Sequence, residues 1–248
     1  LLADMRQGHV SMTDESLFTV GKNVATTEGA VVFENELFQL IEYKPLTAKV
    51  YEKPFLMVPP CINKFYILDL QPDNSVIRYA VSQGHRTFVV SWRNPDESQA
   101  HQTWDSYIEN GVLKAVSTVQ DICDVPQINV LGFCVGGTML STAMGVLAAR
   151  HAREQGEAAP AAKTASRSRA AAKTTAAKTS ARTSAKASAP ADAKPFPVAS
   201  MTLLTTLLDF RDTGILDIFI DENVVRFREM QMGKGGLMKG QDMASTFS

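Results

Sequence analysis

The residues best suited to do chemistry are Gly132-Phe133-Cys134-Val135-Gly136-Gly137. A nucleophile between glycines, Gly-x-Cys-x-Gly, where a strand runs into a helix is the pattern of a strained elbow that lifts one side chain above a sheet. The glycines are needed because such a turn brings backbone segments too close together for a Cβ on either side. A helix beginning at Gly136 points its positive end at position 134, which favours a thiolate over a thiol and makes Cys134 the candidate nucleophile. The backbone N–H of Val135 is directed into the same space and is a candidate oxyanion donor. The competing readings are a buried cysteine in a glycine-rich turn and a phosphate loop. The second requires a Lys before the Ser or Thr after the glycines, and Gly137-Thr138 lacks it.

Elements that alternate between strand and helix flank this elbow. Phe55-Leu56-Met57-Val58 is a short apolar run stopped by Pro59-Pro60, which predicts a buried strand with an abrupt exit. Ser75 to Gln83 carries Val76, Ile77, Ala80 and Val81 at helical spacing, with Gly84 as its C-terminal stop. Thr87 to Trp92 is β-branched and aromatic and predicts the next buried strand. Trp104, Ile108, Val112, Ala115, Val119 and Ile122 form one stripe of a long amphipathic helix from Trp104 to Cys123. Ile128 to Leu131 reads as strand, Gly136 to Arg150 as helix, and Val198 to Leu208 as a further buried strand. Val31 to Phe33 and Phe38 to Tyr43 suit an edge hairpin. This rhythm predicts an α/β fold with a mostly parallel sheet flanked by helices.

Composition narrows the class. The 25 basic and 26 acidic residues nearly cancel, which excludes a uniformly basic nucleic-acid binder and an acidic disordered chain. No apolar run approaches the ~20 residues that span a bilayer, and no signal peptide opens the sequence. Cys61, Cys123 and Cys134 are too few for a disulfide framework and suit free thiols in a reducing cytoplasm. The start at Leu1 instead of Met reads as a piece of a longer protein.

Between Gly156 and Pro195 the pattern breaks. Of these 40 residues 16 are Ala, eight are basic and two acidic, and Ala-Ala-Lys-Thr recurs at 161–164, 171–174 and 176–179. Without Leu, Ile, Val or aromatic residues up to Pro195, the stretch buries too little to offset an ordering entropy of ~1–2 kcal/mol per residue. It is expected to be a disordered basic insert. Its default role is a solvated spacer; the alternative is weak DNA contact through 156–195, by charge alone.

Three longer stretches carry a family resemblance: Gly132 to Thr138, Pro59-Pro60-Cys61-Ile62-Asn63-Lys64-Phe65-Tyr66-Ile67-Leu68-Asp69-Leu70, and Ser91-Trp92-Arg93-Asn94-Pro95. Together with Thr26 to Val32 and Leu203 to Phe210, they resemble the polyhydroxyalkanoate synthases, most closely the class I enzymes. The resemblance implies an α/β-hydrolase fold, incomplete at the C-terminus, with Cys134 as the nucleophile that replaces a serine. It also implies polymerisation of (R)-3-hydroxyacyl-CoA, 3-hydroxybutyryl-CoA above all, through a cysteine acyl-enzyme. The coenzyme A thioester is then a substrate and no cofactor is called for. The implied partners are a growing polyester chain, its granule surface in the cytoplasm, and a second copy in a homodimer. The expected division is an N-terminal region to residue 30, the first part of the hydrolase core over 31–155, the insert over 156–195, a core strand within 196–209 and part of a cap over 210–248.

Acyl transfer by a thiol needs a general base, and in this fold an acid and then a histidine follow the nucleophile. The only later histidine is His151, 17 residues on along a helix and roughly 20 Å away. His9, His85 and His101 precede Cys134 and read as surface or packing residues. The resemblance implies that the triad's Asp and His lie in a C-terminal part outside this chain, so these 248 residues are expected to be inactive alone. Among the secondary candidates, Ile62 is favoured over Cys61 for the second oxyanion N–H. Asp69 is expected to cap a helix, Cys123 to be inert, and Trp92 to be core more often than site. Phe210, Ile215, Leu216, Ile218, Phe219 and Phe227 suit a cap. Hydrolysis of thioesters or esters is the alternative reaction, and tethering of granules to DNA the alternative role of the insert.

Overall fold

The computed structural model describes residues 14–62, 65–155, 195–214 and 221–232. Six strands form one sheet: β1 (Gly29–Glu34), β2 (Phe38–Tyr43), β3 (Phe55–Val58), β4 (Thr87–Trp92), β5 (Ile128–Phe133) and β6 (Val198–Leu204). Their spatial order is β1-β2-β4-β3-β5-β6. The β1–β2 and β2–β4 pairs are antiparallel, and β4–β3, β3–β5 and β5–β6 are parallel. The mostly parallel sheet and the edge hairpin expected from the sequence are both present.

Side chains alternate across the sheet and divide its core into two layers. Leu56, Val58, Phe88, Val90 and Val130 face one side; Met57, Val89 and Leu131 face the other. The second side is covered by α1 (Val76–Ser82), through Ile77, Ala80 and Val81. The first is covered by two longer helices. One, α2, runs through three consecutive pieces, Trp104–Ser106, a π-helical stretch Tyr107–Leu113 and Lys114–Cys123. The other, α3 (Val135–Glu154), packs through Met139, Leu140 and Ala143. The chain steps from β3 to β4 in one direction and returns past β3 to β5, so right-handed crossovers place α1 and α2 on opposite faces.

Several expectations need correction. In the α2 stripe Ile108, Val112, Ala115 and Val119 are buried, but Trp104 and Ile122 at its ends are exposed. Twenty helical residues span ~30 Å and a six-residue strand ~20 Å, so both ends overhang the sheet. The last strand stops at Leu204 instead of Leu208, because Thr205 turns to φ 47°. Apart from Val198 it is largely exposed, since no described strand pairs with its outer edge. Asp69 does not cap a helix. Ser75 caps α1, accepting from the Arg78 N–H at 2.8 Å. Asp69 is fully buried and accepts from the Thr27 hydroxyl at 2.7 Å and the Thr27 N–H at 3.2 Å.

The insert lies, except for Pro195, outside the described residues, as do His9, Ile215, Leu216, Ile218 and Phe219. Of the suggested cap, Phe210 and Phe227 are described and exposed, the latter on α4 (Glu222–Met232). Among the described residues, no helix is long and apolar enough to cross a membrane.

Phe88 is fully buried at the centre of the sheet, whereas Val31 on β1 is half exposed. Phe88→Ala is expected to lower unfolding stability by about 3–5 kcal/mol, and Val31→Ala by no more than about 0.5 kcal/mol. Urea denaturation followed by circular dichroism checks both; equal losses would contradict this core.

Candidate active site

β5 delivers the chain to Cys134 and α3 carries it away. Cys134 takes φ 53°, ψ −125°, a conformation that costs a non-glycine residue about 1–3 kcal/mol. The bend is held by its own backbone. The Cys134 N–H donates to the Leu204 carbonyl at 2.9 Å, and the Cys134 carbonyl accepts from the N–H groups of Gly137 at 2.9 Å and Thr138 at 3.3 Å. The thiol is half-buried, neither sealed in the core nor fully in solvent. Val135 is the first residue of α3, where a backbone N–H has no carbonyl of its own helix to donate to.

The glycines have the role the sequence suggests, with partners it does not reveal. A Cβ on Gly132 would lie 2.4 Å from the Cα of Gly137. On Gly136 it would lie 2.1 Å from the Val58 carbonyl oxygen and 2.6 Å from that of Pro59. On Gly137 it would lie 2.0 Å from the Thr206 hydroxyl. The start of α3 is therefore wedged between the exit of β3 and the exit of β6.

These two exits form the walls beside the elbow. After β3 the chain runs through Pro59, Pro60, Cys61 and Ile62. The buried Trp92 indole donates from Nε1 to the Pro59 carbonyl at 2.8 Å. Cys61 is half-buried against the core, and burial pushes its thiol above the ordinary range. Ile62, the favoured second oxyanion residue, is 54% exposed. After β6, the Thr206 hydroxyl donates to the Leu204 carbonyl at 3.1 Å, and the Thr138 hydroxyl on α3 donates to the Leu207 carbonyl at 2.8 Å. Sequence reasoning missed this second wall. Its one local signal is the Thr205-Thr206 pair that interrupts an apolar run.

The histidines go elsewhere. His85, ahead of β4, lies between the rings of Tyr51 and Phe55 at 5.1 and 5.3 Å. His151, near the far end of α3, meets the Phe196 ring edge-on at 5.7 Å. His101 is exposed beside Gln102. None of these contacts reaches the elbow. Cys123, at the end of α2, has its thiol pushed up by burial. Asp209 is exposed, and hydrogen bonds from the Arg211 side chain and N–H hold its carboxyl down to about 2. Among the described residues, no three His, Cys, Asp or Glu side chains converge as metal ligands would.

The strand order and the elbow define an α/β-hydrolase unit with a cysteine at its turn. Residues 54–150 match the family model for the alpha/beta hydrolase fold, and residues 1–80 match that of the N-terminus of poly-beta-hydroxybutyrate polymerase (PhaC). The chain is 51% identical to a poly(3-hydroxyalkanoate) polymerase subunit PhaC from Cupriavidus necator, an alignment that covers 100% of this chain and 36% of that protein. A second such subunit, from Rhizobium meliloti, is 34% identical, with 95% of this chain and 32% of that protein covered. The corresponding polymerase of Methylorubrum extorquens is 35% identical, with 98% and 33% covered. Solved structures with local likeness include the alpha/beta hydrolase MGS-M1 from a Medee basin deep-sea metagenome library, at 16% identity and TM-score 0.32 over 49% of this chain and 50% of that one. The chain belongs to the poly(3-hydroxyalkanoate) polymerases. It spans about a third of the length of the curated relatives it matches.

Gly136 and Gly145 lie on the same helix, but only Gly136 is pressed against backbone; a Cβ on Gly145 meets nothing within 4 Å. Gly145→Ala is expected to stabilise the fold by roughly 0.5–1 kcal/mol, and Gly136→Ala to destabilise it by more than about 2 kcal/mol. Paired urea melts check this, and a tolerated Gly136→Ala would mean that the elbow is not packed this tightly.

Proposed function

We propose that the intact protein polymerises (R)-3-hydroxyacyl groups, chiefly 3-hydroxybutyryl, from their coenzyme A thioesters, with Cys134 carrying the acyl chain. The observation that supports this most is a half-buried cysteine held at φ 53° on a strand-to-helix elbow, in a chain 51% identical to a poly(3-hydroxyalkanoate) polymerase subunit.

In the proposed loading step a base removes the Cys134 proton and Sγ attacks the thioester carbonyl. The new sulfur–acyl bond forms as the acyl–CoA bond breaks, and coenzyme A leaves as its thiol with the proton. In the elongation step the 3-hydroxyl of another unit attacks the Cys134 thioester, forming an ester and returning a proton to sulfur. Both steps pass through an oxyanion, which the N–H groups of Val135 and Ile62 are proposed to stabilise. Loading exchanges one thioester for another and one thiol for another, so it is nearly isoenergetic and readily reversible, which suits a sulfur nucleophile.

No contact of His85, His101 or His151 reaches Cys134. The base is therefore assigned to residues other than these three, and turnover to the intact protein. The polyester is water-insoluble, so elongation is placed at the surface of its own granule.

Incubating the intact protein with 3-hydroxybutyryl-CoA tests this. Coenzyme A and polymer are expected together, and Cys134→Ala is expected to lower both at least 1,000-fold, the order of loss seen when a covalent nucleophile is removed. Free 3-hydroxybutyrate without polymer would instead mark a thioester hydrolase. The 248-residue chain alone is expected to form no polymer.

A further inference from the structure

We propose that Trp92 is a positioning residue for acyl transfer: its indole N–H holds the Pro59 carbonyl and so fixes the Pro59–Ile62 loop against the start of α3. This inference rests on the acyl-transfer reading above. Trp92 ends β4 and is 8% exposed, so its indole N–H needs a partner within the protein. It finds the Pro59 carbonyl at 2.8 Å.

That carbonyl is a meeting point of three elements. It leaves β3, receives the indole at the end of β4, and lies where a Cβ on Gly136 of α3 would come within 2.6 Å of it. Pro59 and Pro60 have no N–H, so this part of the loop lacks two backbone donors with which to tie itself down. Cys61 packs on the cluster that contains Trp92, and Ile62 follows immediately, exposed. A shift of the Pro59 carbonyl moves the backbone of Ile62 relative to the elbow.

The indole is fixed from behind. Its ring contacts Tyr107 and Phe38 at centroid distances of 5.5 and 6.0 Å. A Cβ on Gly111 would lie 2.9 Å from its Cη2 and Cζ3 atoms. Tyr107 and Gly111 both belong to the π-helical stretch of α2, a widened turn of a kind found frequently at functional sites. Backbone, ring and carbonyl thus form one rigid line from α2 to the loop beside Cys134.

The test uses the intact polymerase and the pre-steady-state release of coenzyme A from 3-hydroxybutyryl-CoA, normalised to the folded fraction. Trp92→Phe keeps a ring and removes the donor. Acylation per folded site is expected to fall on the order of tenfold with KM within about twofold, as for a misplaced oxyanion donor. Gly111→Ala keeps the donor and pushes the ring; it is expected to slow acylation in the same way. The double variant is expected to be no slower than Trp92→Phe, because both changes act through one hydrogen bond. Acylation at the wild-type rate in folded Trp92→Phe, a loss confined to KM, or fully additive effects would overturn the proposal. If Trp92→Phe does not fold, Gly111→Ala is read alone against the same criterion, and failure of both to fold would reduce Trp92 to a core residue. Cys134→Ala separates the two readings. If it still releases coenzyme A, the acyl-enzyme reading fails whatever Trp92 does; if it is silent while Trp92→Phe acylates normally, only the positioning role fails.

Discussion

A bend through Cys134 can persist only where surrounding contacts offset its unfavourable backbone conformation. Its N–H and carbonyl are both satisfied, the first by Leu204 and the second by the opening turn of α3. Those hydrogen bonds require α3 to start within van der Waals contact of the β3 and β6 exits, and that contact is possible only without side chains at 132, 136 and 137. The three glycines are thus a consequence of packing a helix end between two strand ends. The core then fixes those ends: Val58 and Leu140 are fully buried on the same side of the sheet.

The strand order sets where this bend lies in the sheet. The carboxyl ends of β3, β4 and β5 lie at one edge of the sheet, and the connections after β3 and β4 leave toward opposite faces. A crevice opens where two such connections diverge, which is the general place for sites in open α/β sheets. The Pro59 loop and the Trp92 end of β4 stand on either side of that divergence, and Cys134 follows the adjacent strand. Fold and elbow therefore depend on one another: the crossover pattern sets where the strand ends lie, and the elbow follows the strand beside them.

Much of this was legible because it is local. Phe55–Val58 and Thr87–Trp92 are continuous apolar or β-branched runs with abrupt ends, and the structure reproduces both spans. The strand-to-helix elbow at 134 was legible because its pattern is contiguous. The π-helical stretch was not, since a seven-residue change in helical pitch leaves the apolar stripe of α2 nearly intact. The end of β6 was misplaced because Leu207 and Leu208 continue the apolar run past a backbone turn at Thr205. The packing of Thr206 on Gly137 and the Trp92–Pro59 hydrogen bond were hidden for a different reason. Gly137 lies 69 residues before Thr206 and Pro59 lies 33 before Trp92, and only the folded sheet brings each pair together.

Asp69 carries the same lesson into domain organisation. As a sequence feature it looked like a local cap, but its partner is Thr27, 42 residues upstream. The Ala25 N–H donates to the Asp69 carbonyl at 2.9 Å, so backbone and side chain both clasp the segment leading into β1. A fully buried carboxylate is costly unless it is hydrogen-bonded, and Thr27 supplies two donors. The same carboxylate, after burial itself, pushes the Tyr43 hydroxyl at the end of β2 well above its usual range. The family model of the polymerase N-terminus covers residues 1–80 and overlaps the hydrolase model from residue 54 onward. That overlap has a physical basis. The later part of the N-terminal region contributes β1 and β2 to the sheet, β2 pairs directly with β4, and Asp69 pins the approach to both. From about Ala25 onward, the N-terminal region and the hydrolase unit share one sheet and one core.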